Sequence, residues 1–179
     1  MSQIAWSAQR AQIHAVPETV PVAAAEFRAG APALVSSMEA VTRARLFTVG
    51  VDVPLAKVAA LLARSQISMV VVCNTAGVMV GVITETILVK QLGFGMADIF
   101  TTRACEVMAR SCTVCAPGDT LSDVLALMHT RGLIHVPVVD TDKRPLGVIN
   151  ARDGLRTLLA AGNHEEALLR NYVMGVGYQ

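Results

Sequence analysis

Hydrophobic positions follow a helical period in two stretches of the chain. In the second stretch, apolar residues recur at i, i+3, i+4 and i+7, the spacing that places one side of a helix against a core. These residues are Leu121, Val124, Leu125 and Met128. Asp119 or Thr120 can cap the start of this helix, and Gly132 can end it. The first stretch has the same spacing, at Leu55, Val58, Ala59 and Leu62.

Two runs rich in β-branched residues follow each predicted helix. They cover Met69–Cys73 and Val78–Ile83 after the first helix, and His135–Val139 and Leu146–Ile149 after the second. A polar turn joins the two runs in each case. Because the runs are apolar almost throughout, they predict strands that are buried on both faces.

The elements around these strands also occur twice. A short extended segment precedes each helix, at Leu46–Val51 and at Cys112–Ala116. A second helix follows each pair of strands, at Glu85–Leu92 and at Ala151–Ala161. The predicted order is therefore β-α-β-β-α, twice, in a chain of the α/β class.

The two halves align with each other as copies of one unit. A shift of 66 residues places Leu55 on Leu121, and Gly81-Val82-Ile83 on Gly147-Val148-Ile149, without a gap. Because a copy of about 50 residues buries its apolar strands poorly alone, we expect the two copies to pack on each other. The predicted segments are an extension at 1–40, copy 1 at 41–92, copy 2 at 93–162 with its core from 105, and a tail at 163–179.

The segments outside the repeat contain helix-prone sequence. Ala23–Phe27 and Ala31–Val41 are Ala-rich, and Glu165–Met174 predicts a short helix with an apolar face. That face packs either on its own domain or on a second subunit.

Composition excludes several classes of protein. With 53% hydrophobic and 16% charged residues, the chain of 179 residues is not of the disordered class. A net charge of +1 and 4% aromatic residues give no footprint for nucleic acid. The start lacks a leader-like segment and no apolar run spans a membrane, so we expect a cytoplasmic protein with four reduced cysteines.

Several short motifs occur in a fixed order in copy 2. Thr113-Val114 precedes Pro117–Leu121, Gly132–Asp140 follows, and Gly147–Asp153 completes the set. This order resembles a tandem pair of cystathionine-β-synthase (CBS) domains, a Bateman module, over about residues 41 to 162. The resemblance implies a regulatory module that binds AMP, ADP or ATP, or alternatively NAD or S-adenosylmethionine, with no required cofactor. It also implies that modules pair as a disc-like homodimer.

The resemblance also implies a ligand site at the end of copy 2. Family members carry a Gly-hydrophobic-x-Ser/Thr-x-x-Asp run, in which the aspartate holds the ribose hydroxyls. Asp153 stands at that position here, and Asn150 stands where Ser or Thr is usual. Asn150, Arg152 and the start of the helix would face a phosphate. The alternative is that Asn150 and Asp153 only cap the helix, in an arrangement close to a capping box.

By the same resemblance, the base would lie between the first strand of copy 2 and its His-Val-Pro-Val turn. The residues concerned are Ser111, Cys112, Thr113 and Val114 on one side, and Ile134, His135, Val136 and Pro137 on the other. His135 is equally explained as a partly buried strand residue. In copy 1, Thr84 keeps the hydroxyl position but Ile87 replaces the aspartate, so we expect a weak second site and one functional site per chain.

The remaining chemistry is sparse. Cys112 and Cys115 have the spacing of a redox or zinc half-motif, but a zinc site needs four ligands and a redox dithiol opens a helix. The histidines show no metal spacing, and no nucleophile, base and orienting group recur in a known pattern. We therefore expect neither a metal site nor an enzyme.

Three functional hypotheses follow from these observations. The leading one is a module that senses an adenine ligand at Asp153 and acts in trans on a partner protein. The second is a dimerising interaction scaffold with degenerate ligand sites, which Ile87 and Asn150 favour. The third is a thiol redox or metal protein that uses Cys112 and Cys115. We expect no nucleic-acid or membrane partner.

Overall fold

The computed structural model describes residues 32–65, 67–95 and 98–162, which form two copies of one α/β unit. Copy 1 contains a 3-10 turn at Val35–Met38, α1 at Glu39–Ala44, β1 at Thr48–Gly50, α2 at Leu55–Ser65, β2 at Met69–Cys73, β3 at Met79–Thr84 and α3 at Glu85–Gly93. Copy 2 contains α4 at Ala104–Val107, α5 at Leu121–Thr130, β4 at His135–Val139, β5 at Pro145–Asn150 and α6 at 151–162. Within these residues, no helix combines the length and the apolar character needed to cross a membrane.

The sheet of copy 1 confirms the predicted order of its strands, and the sheet of copy 2 confirms its pair of apolar strands. In copy 1, β1 pairs parallel with β2 and β2 pairs antiparallel with β3, with Val71 opposite both Thr48 and Val82. In copy 2, β4 pairs antiparallel with β5, and His135 lies opposite Asn150. The predicted helical stripes are confirmed as well, because their residues are buried except for the half-buried Ala59 and Leu125. The predicted helices at Ala23–Phe27 and Glu165–Met174 lie outside the described residues.

The predicted extended segment Cys112–Ala116 is not a strand. It forms a single parallel bridge, in which Cys115 N–H donates to the Pro137 carbonyl at 3.0 Å and the Cys115 carbonyl accepts from Val139 N–H at 2.9 Å. In copy 1, Val71 N–H donates to the Phe47 carbonyl at 2.9 Å and extends the ladder. Pro137 occupies the position equivalent to Val71 and has no N–H, so the ladder of copy 2 stops there.

The leading segment of each copy packs into the core of the other copy. Val35 and Met38, 1% and 3% exposed, belong to the apolar cluster of copy 2. Ala104 and Met108 belong in turn to the cluster of copy 1. Backbone bonds fix this exchange, since Leu121 N–H donates to the Ala33 carbonyl at 2.8 Å. The copies therefore complete each other's cores.

Gly81 on β3 and Gly147 on β5 are equivalent in the repeat. At each of them, the exchanged segment from the other copy lies in close contact with the strand. A Cβ at Gly147 would lie 2.6 Å from Thr42 Oγ1 and 2.9 Å from the Thr42 carbonyl carbon. A Cβ at Gly81 would lie 2.8 Å from the Ala109 carbonyl oxygen. Both copies have a glycine at this position, where α1 covers β5 and the α4 segment covers β3.

Candidate functional site

The carboxylate of Asp153 lies at the start of α6, where it meets a residue from copy 1. Arg45, directly after α1, donates from Nε to Asp153 Oδ2. The Asp153 side chain is 12% exposed and that of Arg45 is 36% exposed. Because α1 packs on β5 and α6 follows β5, the exchange of leading segments brings these two residues together. The contact is thus an ion pair between copies.

Asn150 caps α6 and its bond to His135 selects the protonation state of the imidazole. Its Oδ1 accepts from the Arg152 backbone N–H at 2.9 Å, which orients the side-chain amide. Its Nδ2 therefore faces His135 Nε2 at 3.0 Å and donates to it. An accepting Nε2 requires a neutral imidazole with its proton on Nδ1.

The surroundings of His135 favour this neutral form. Burial lowers the pKa of His135, and the Arg45 charge lowers it further, against the opposing influence of Glu85 and Asp153. Glu85 belongs to copy 1, so groups from both copies act on this imidazole. The polar end of the site is neutral at His135 and carries its charges on Arg45 and Asp153.

Two adjoining cavities open beside this cluster. The larger, of about 620 Å³, is mostly apolar and is lined by Ala40, Val41, Ala44, Arg45, Phe47, Ser65 and Ile67. The smaller, of about 80 Å³, is lined by Arg45, Ile67, Ser68, Met69, His135, Val148 and Asn150. Arg45 and Ile67 border both cavities, whereas Asp153 borders neither. The site thus has an apolar part, a polar part and an arginine between them.

The structure gathers only some of the residues predicted for the site. Asn150, Asp153, His135 and the Arg152 backbone lie together with Arg45. Three more lie on or beside β4: Ile134 is exposed, whereas Val136 and Pro137 are buried.

The segment predicted as the other wall of the base pocket lies elsewhere. Cys112 packs into the apolar cluster between the copies, and Thr113 Oγ1 accepts from Arg131 at 2.8 Å. Ser111 and Val114 are exposed. None of the residues 111–114 lines either of the two cavities described above.

Copy 1 supplies walls of the two cavities that the sequence did not predict. Arg45, Phe47, Ile67 and Ser68 stand beside the cluster of copy 2, because the leading segments are exchanged. One signal was present in the sequence. With the one-residue gap that aligns Thr48 with Thr113, Arg45 aligns with Arg110, a basic residue before each first strand.

A match to a known family identifies the chain. The CBS domain model matches this chain twice, at residues 38–93 and at 104–160. The chain belongs to the CBS domain family. This match confirms the resemblance carried by the motifs of copy 2.

Known CBS proteins share this fold. A CBS-domain protein from Agrobacterium tumefaciens, ATU1752, is 26% identical with a TM-score of 0.62, over 73% of this chain and 96% of its own. The CBS pair of MJ0100, solved with 5′-methylthioadenosine and S-adenosyl-L-methionine, is 20% identical with a TM-score of 0.62, over 73% and 98%. MJ1225 from Methanocaldococcus jannaschii is 32% identical over 90 residues, which are 45% of this chain and 32% of that protein. This chain thus matches about a third of the length of that curated relative.

The corresponding half-site of CBS copy 1 lacks the ion pair. Thr84 caps α3 by accepting from Ile87 N–H at 3.3 Å, and the half-buried Ile87 packs against the copy 1 core. Arg110, equivalent to Arg45, donates instead to the Cys105 carbonyl at 3.2 Å. In copy 1, the apolar side chain of Ile87 therefore occupies the position at which copy 2 has the Asp153 carboxylate.

The Cys112 and Cys115 thiols have the character of buried apolar groups in this CBS pair. Burial and the charge of Asp119 raise the pKa of Cys115 to about 12, and burial raises the pKa of Cys112. Reactive and metal-binding cysteines have lowered pKa values. Within the described part of the chain, no group of three or more His, Cys, Asp or Glu is placed to hold a metal ion.

Proposed function

We propose that this CBS pair is a regulatory module that binds one adenine-containing ligand per chain in the cleft between its copies. Ligand binding would change the relative position of the copies, and a partner protein would read that change. The module would be non-catalytic. We also propose a cytoplasmic location, in which Cys73, Cys105, Cys112 and Cys115 would remain reduced thiols.

The observation that carries this proposal is the position of the Asp153 carboxylate. It lies at the amino end of α6, beside a cleft that contains apolar surface at Val41, Phe47 and Ile67. A carboxylate can accept from both hydroxyls of a ribose, and a flat base can occupy apolar surface. The first N–H groups of α6 and the Arg45 guanidinium favour an anionic group nearby.

Known structures support the ligand class. The MJ0100 CBS pair holds 5′-methylthioadenosine and S-adenosyl-L-methionine. At 20% identity that likeness is one of fold, so the ligand chemistry of this chain depends on its own residues. AMP, ADP and ATP are our first candidates, followed by NAD and S-adenosylmethionine.

Isothermal titration tests the proposal. The purified protein, stripped of carried-over ligand, is titrated with AMP, ATP, NAD and S-adenosylmethionine. We expect micromolar binding of at least one ligand, with a loss of about tenfold or more in Asp153→Asn, which keeps the shape and removes the charge. Asp142→Asn is the matched control, since Asp142 lies in the exposed turn between β4 and β5. Equal affinity in both variants, or binding of none of the four ligands, would contradict the proposal.

A second candidate function, a dimerising scaffold, is favoured by the outer faces of α3 and α6. Val89 and Leu155, equivalent in the repeat, are 67% and 55% exposed. Leu92 and Leu159 add 53% and 61% exposed side chains on the same helices. Exposed apolar faces of this kind mark interaction surfaces. We propose that a second copy of the chain covers them.

A further inference from the structure

Arg45 stands between the carboxylate of Asp153 and the open cleft. Its Nε donates to Asp153 Oδ2, and its side chain lines both cavities, whereas Asp153 lines neither. The Asp153 side chain is 12% exposed, and Arg45 is one of the groups in contact with it. A ligand hydroxyl that binds Oδ2 must therefore displace the Arg45 guanidinium.

We propose that Arg45 gates this site and makes it selective for adenine ligands that carry a phosphate, an inference that rests on the proposed function. In the ligand-free chain the guanidinium closes the site by binding Asp153. In the bound state ribose hydroxyls take its place on Asp153, and a phosphate of the ligand receives the guanidinium.

Charge balance explains the selectivity. A ligand that displaces Arg45 from Asp153 separates an ion pair whose carboxylate is almost buried, and the freed cation needs a new anion. Glu85, which also influences the pKa of His135, is a poor replacement for that anion. It is exposed at the start of α3, where water screens its interactions. A phosphate matches the fork of a guanidinium with two parallel hydrogen bonds. A nucleoside without a phosphate has no anion that could bind the freed guanidinium.

The shape of the cleft points the same way. Because Arg45 borders both cavities, its retraction joins the apolar space around Phe47 with the polar space around His135 and Asn150. In this open state a base would have apolar surface at one end, and the Asp153 carboxylate beside Arg45 would be uncovered. Arg45 then lies at the middle of the joined space, where it can follow the phosphate.

AMP and adenosine, which differ only by the phosphate, are the probes for this gate. We expect the wild-type protein to bind AMP at least about tenfold more tightly than adenosine, since a charge-assisted bond is worth more than one neutral bond. In Arg45→Gln, AMP binding weakens and adenosine binding strengthens, because Asp153 is uncovered. The ratio of the two dissociation constants should fall to within about threefold of one.

Arg43→Gln is the matched control. Arg43 lies two residues away on α1 and pairs with Glu39 at 3.3 Å on the surface, with 70% and 65% exposed side chains. This variant loses one positive charge but should keep the AMP preference of the wild-type protein. A preference that falls equally in both variants would show a general charge effect and overturn the gate.

The outcomes separate this inference from the proposed function. If Arg45→Gln keeps the wild-type ratio of AMP to adenosine affinity, the gate is refuted while ligand binding at Asp153 stands. If neither probe binds the wild-type protein or Arg45→Gln, the gate is refuted, and the titrations with ATP, NAD and S-adenosylmethionine decide the proposed function separately. Should Arg45→Gln not fold, the NMR signal of the Arg45 Nε–H decides. Saturating AMP must shift that signal, and an unmoved signal overturns the gate.

Discussion

Asn150 donates from its side-chain amide to His135 Nε2 at 3.0 Å, and this bond exists only while the imidazole is neutral. The backbone N–H of Arg152 holds the amide in the required orientation at 2.9 Å. The two residues face each other across the β4–β5 pair, so the bond joins the strand that precedes α6 to its neighbour. Protonation of His135 would replace an acceptor by a second donor and break the bond.

The first prediction is a loss of stability in mild acid that depends on His135. Burial and the charge of Arg45 hold the pKa of His135 below its ordinary value of 6.5, against Glu85 and Asp153. A lowered pKa means that the unfolded chain binds the proton more readily than the folded one. The stabilising effect is therefore complete above about pH 6.5 and is lost as the pH falls through the lower, folded-state pKa.

Denaturant titrations at pH 7.5 and pH 5.5 measure this effect. The wild-type free energy of unfolding should decrease more between the two values than that of His135→Gln. Glutamine keeps an acceptor for Asn150 and does not titrate. Carboxylate contributions are common to both proteins and cancel in the comparison. A decrease of the same size in both proteins would show that His135 is not the titrating group.

The second prediction concerns the close approach of α1 to β5. Gly147→Ala would place a methyl group 2.6 Å from Thr42 Oγ1 and 2.9 Å from a backbone carbon, which cannot rotate away. We expect a loss of about 1–3 kcal/mol in unfolding free energy, the range for overpacked sites. Gly118→Ala is the control, because nothing lies within 4 Å of the added Cβ. Equal stability of the two variants in denaturant titrations would mean that α1 moves freely over β5.

The repeat made much of the fold readable from the sequence. Met69–Cys73 and His135–Val139 match the observed strands residue for residue, because a run that is apolar almost throughout indicates burial on both faces. The sequence does not predict the exchange of leading segments. Val35 and Met38 are apolar, which indicates burial but does not indicate in which copy they are buried. The sequence therefore predicts the walls of the cleft at 111–114, whereas Arg45 and Phe47 line the larger cavity in the structure.

The third prediction is that a second site can be created in copy 1. Ile87 stands where Asp153 stands in copy 2, and Thr84 already caps the helix. Ile87→Asp supplies the missing carboxylate near the positive end of α3. We expect the number of AMP molecules bound per chain to rise from one to two by isothermal titration.

Ile87→Asn is the matched control for this gain. It removes the same packing against the copy 1 core but adds no charge, so it should bind a single AMP. Both variants should lose stability, which thermal unfolding records. A stoichiometry of one in Ile87→Asp, with Asp153 intact and the protein folded, would show that the copy 1 half-site lacks more than its carboxylate.

The fourth prediction addresses the outer faces of α3 and α6, where Val89 and Leu155 hold equivalent positions and remain 67% and 55% exposed. If a second copy covers these faces, Leu155→Glu places a charge in an apolar interface without a partner. We expect the dimer dissociation constant to rise by about 100-fold or more, measured by sedimentation across protein concentrations. Ala160→Glu adds the same charge to an exposed position of α6 that the helical period turns away from Leu155 and Leu159, and it should leave the dimer intact.

A wild-type chain that sediments as a monomer would leave these faces to another protein, whereas equal weakening by both substitutions would place the interface beyond the leucine face. Loss of the dimer in Leu155→Glu alone, with AMP affinity unchanged, would show that assembly and ligand binding use separate surfaces of the same helix.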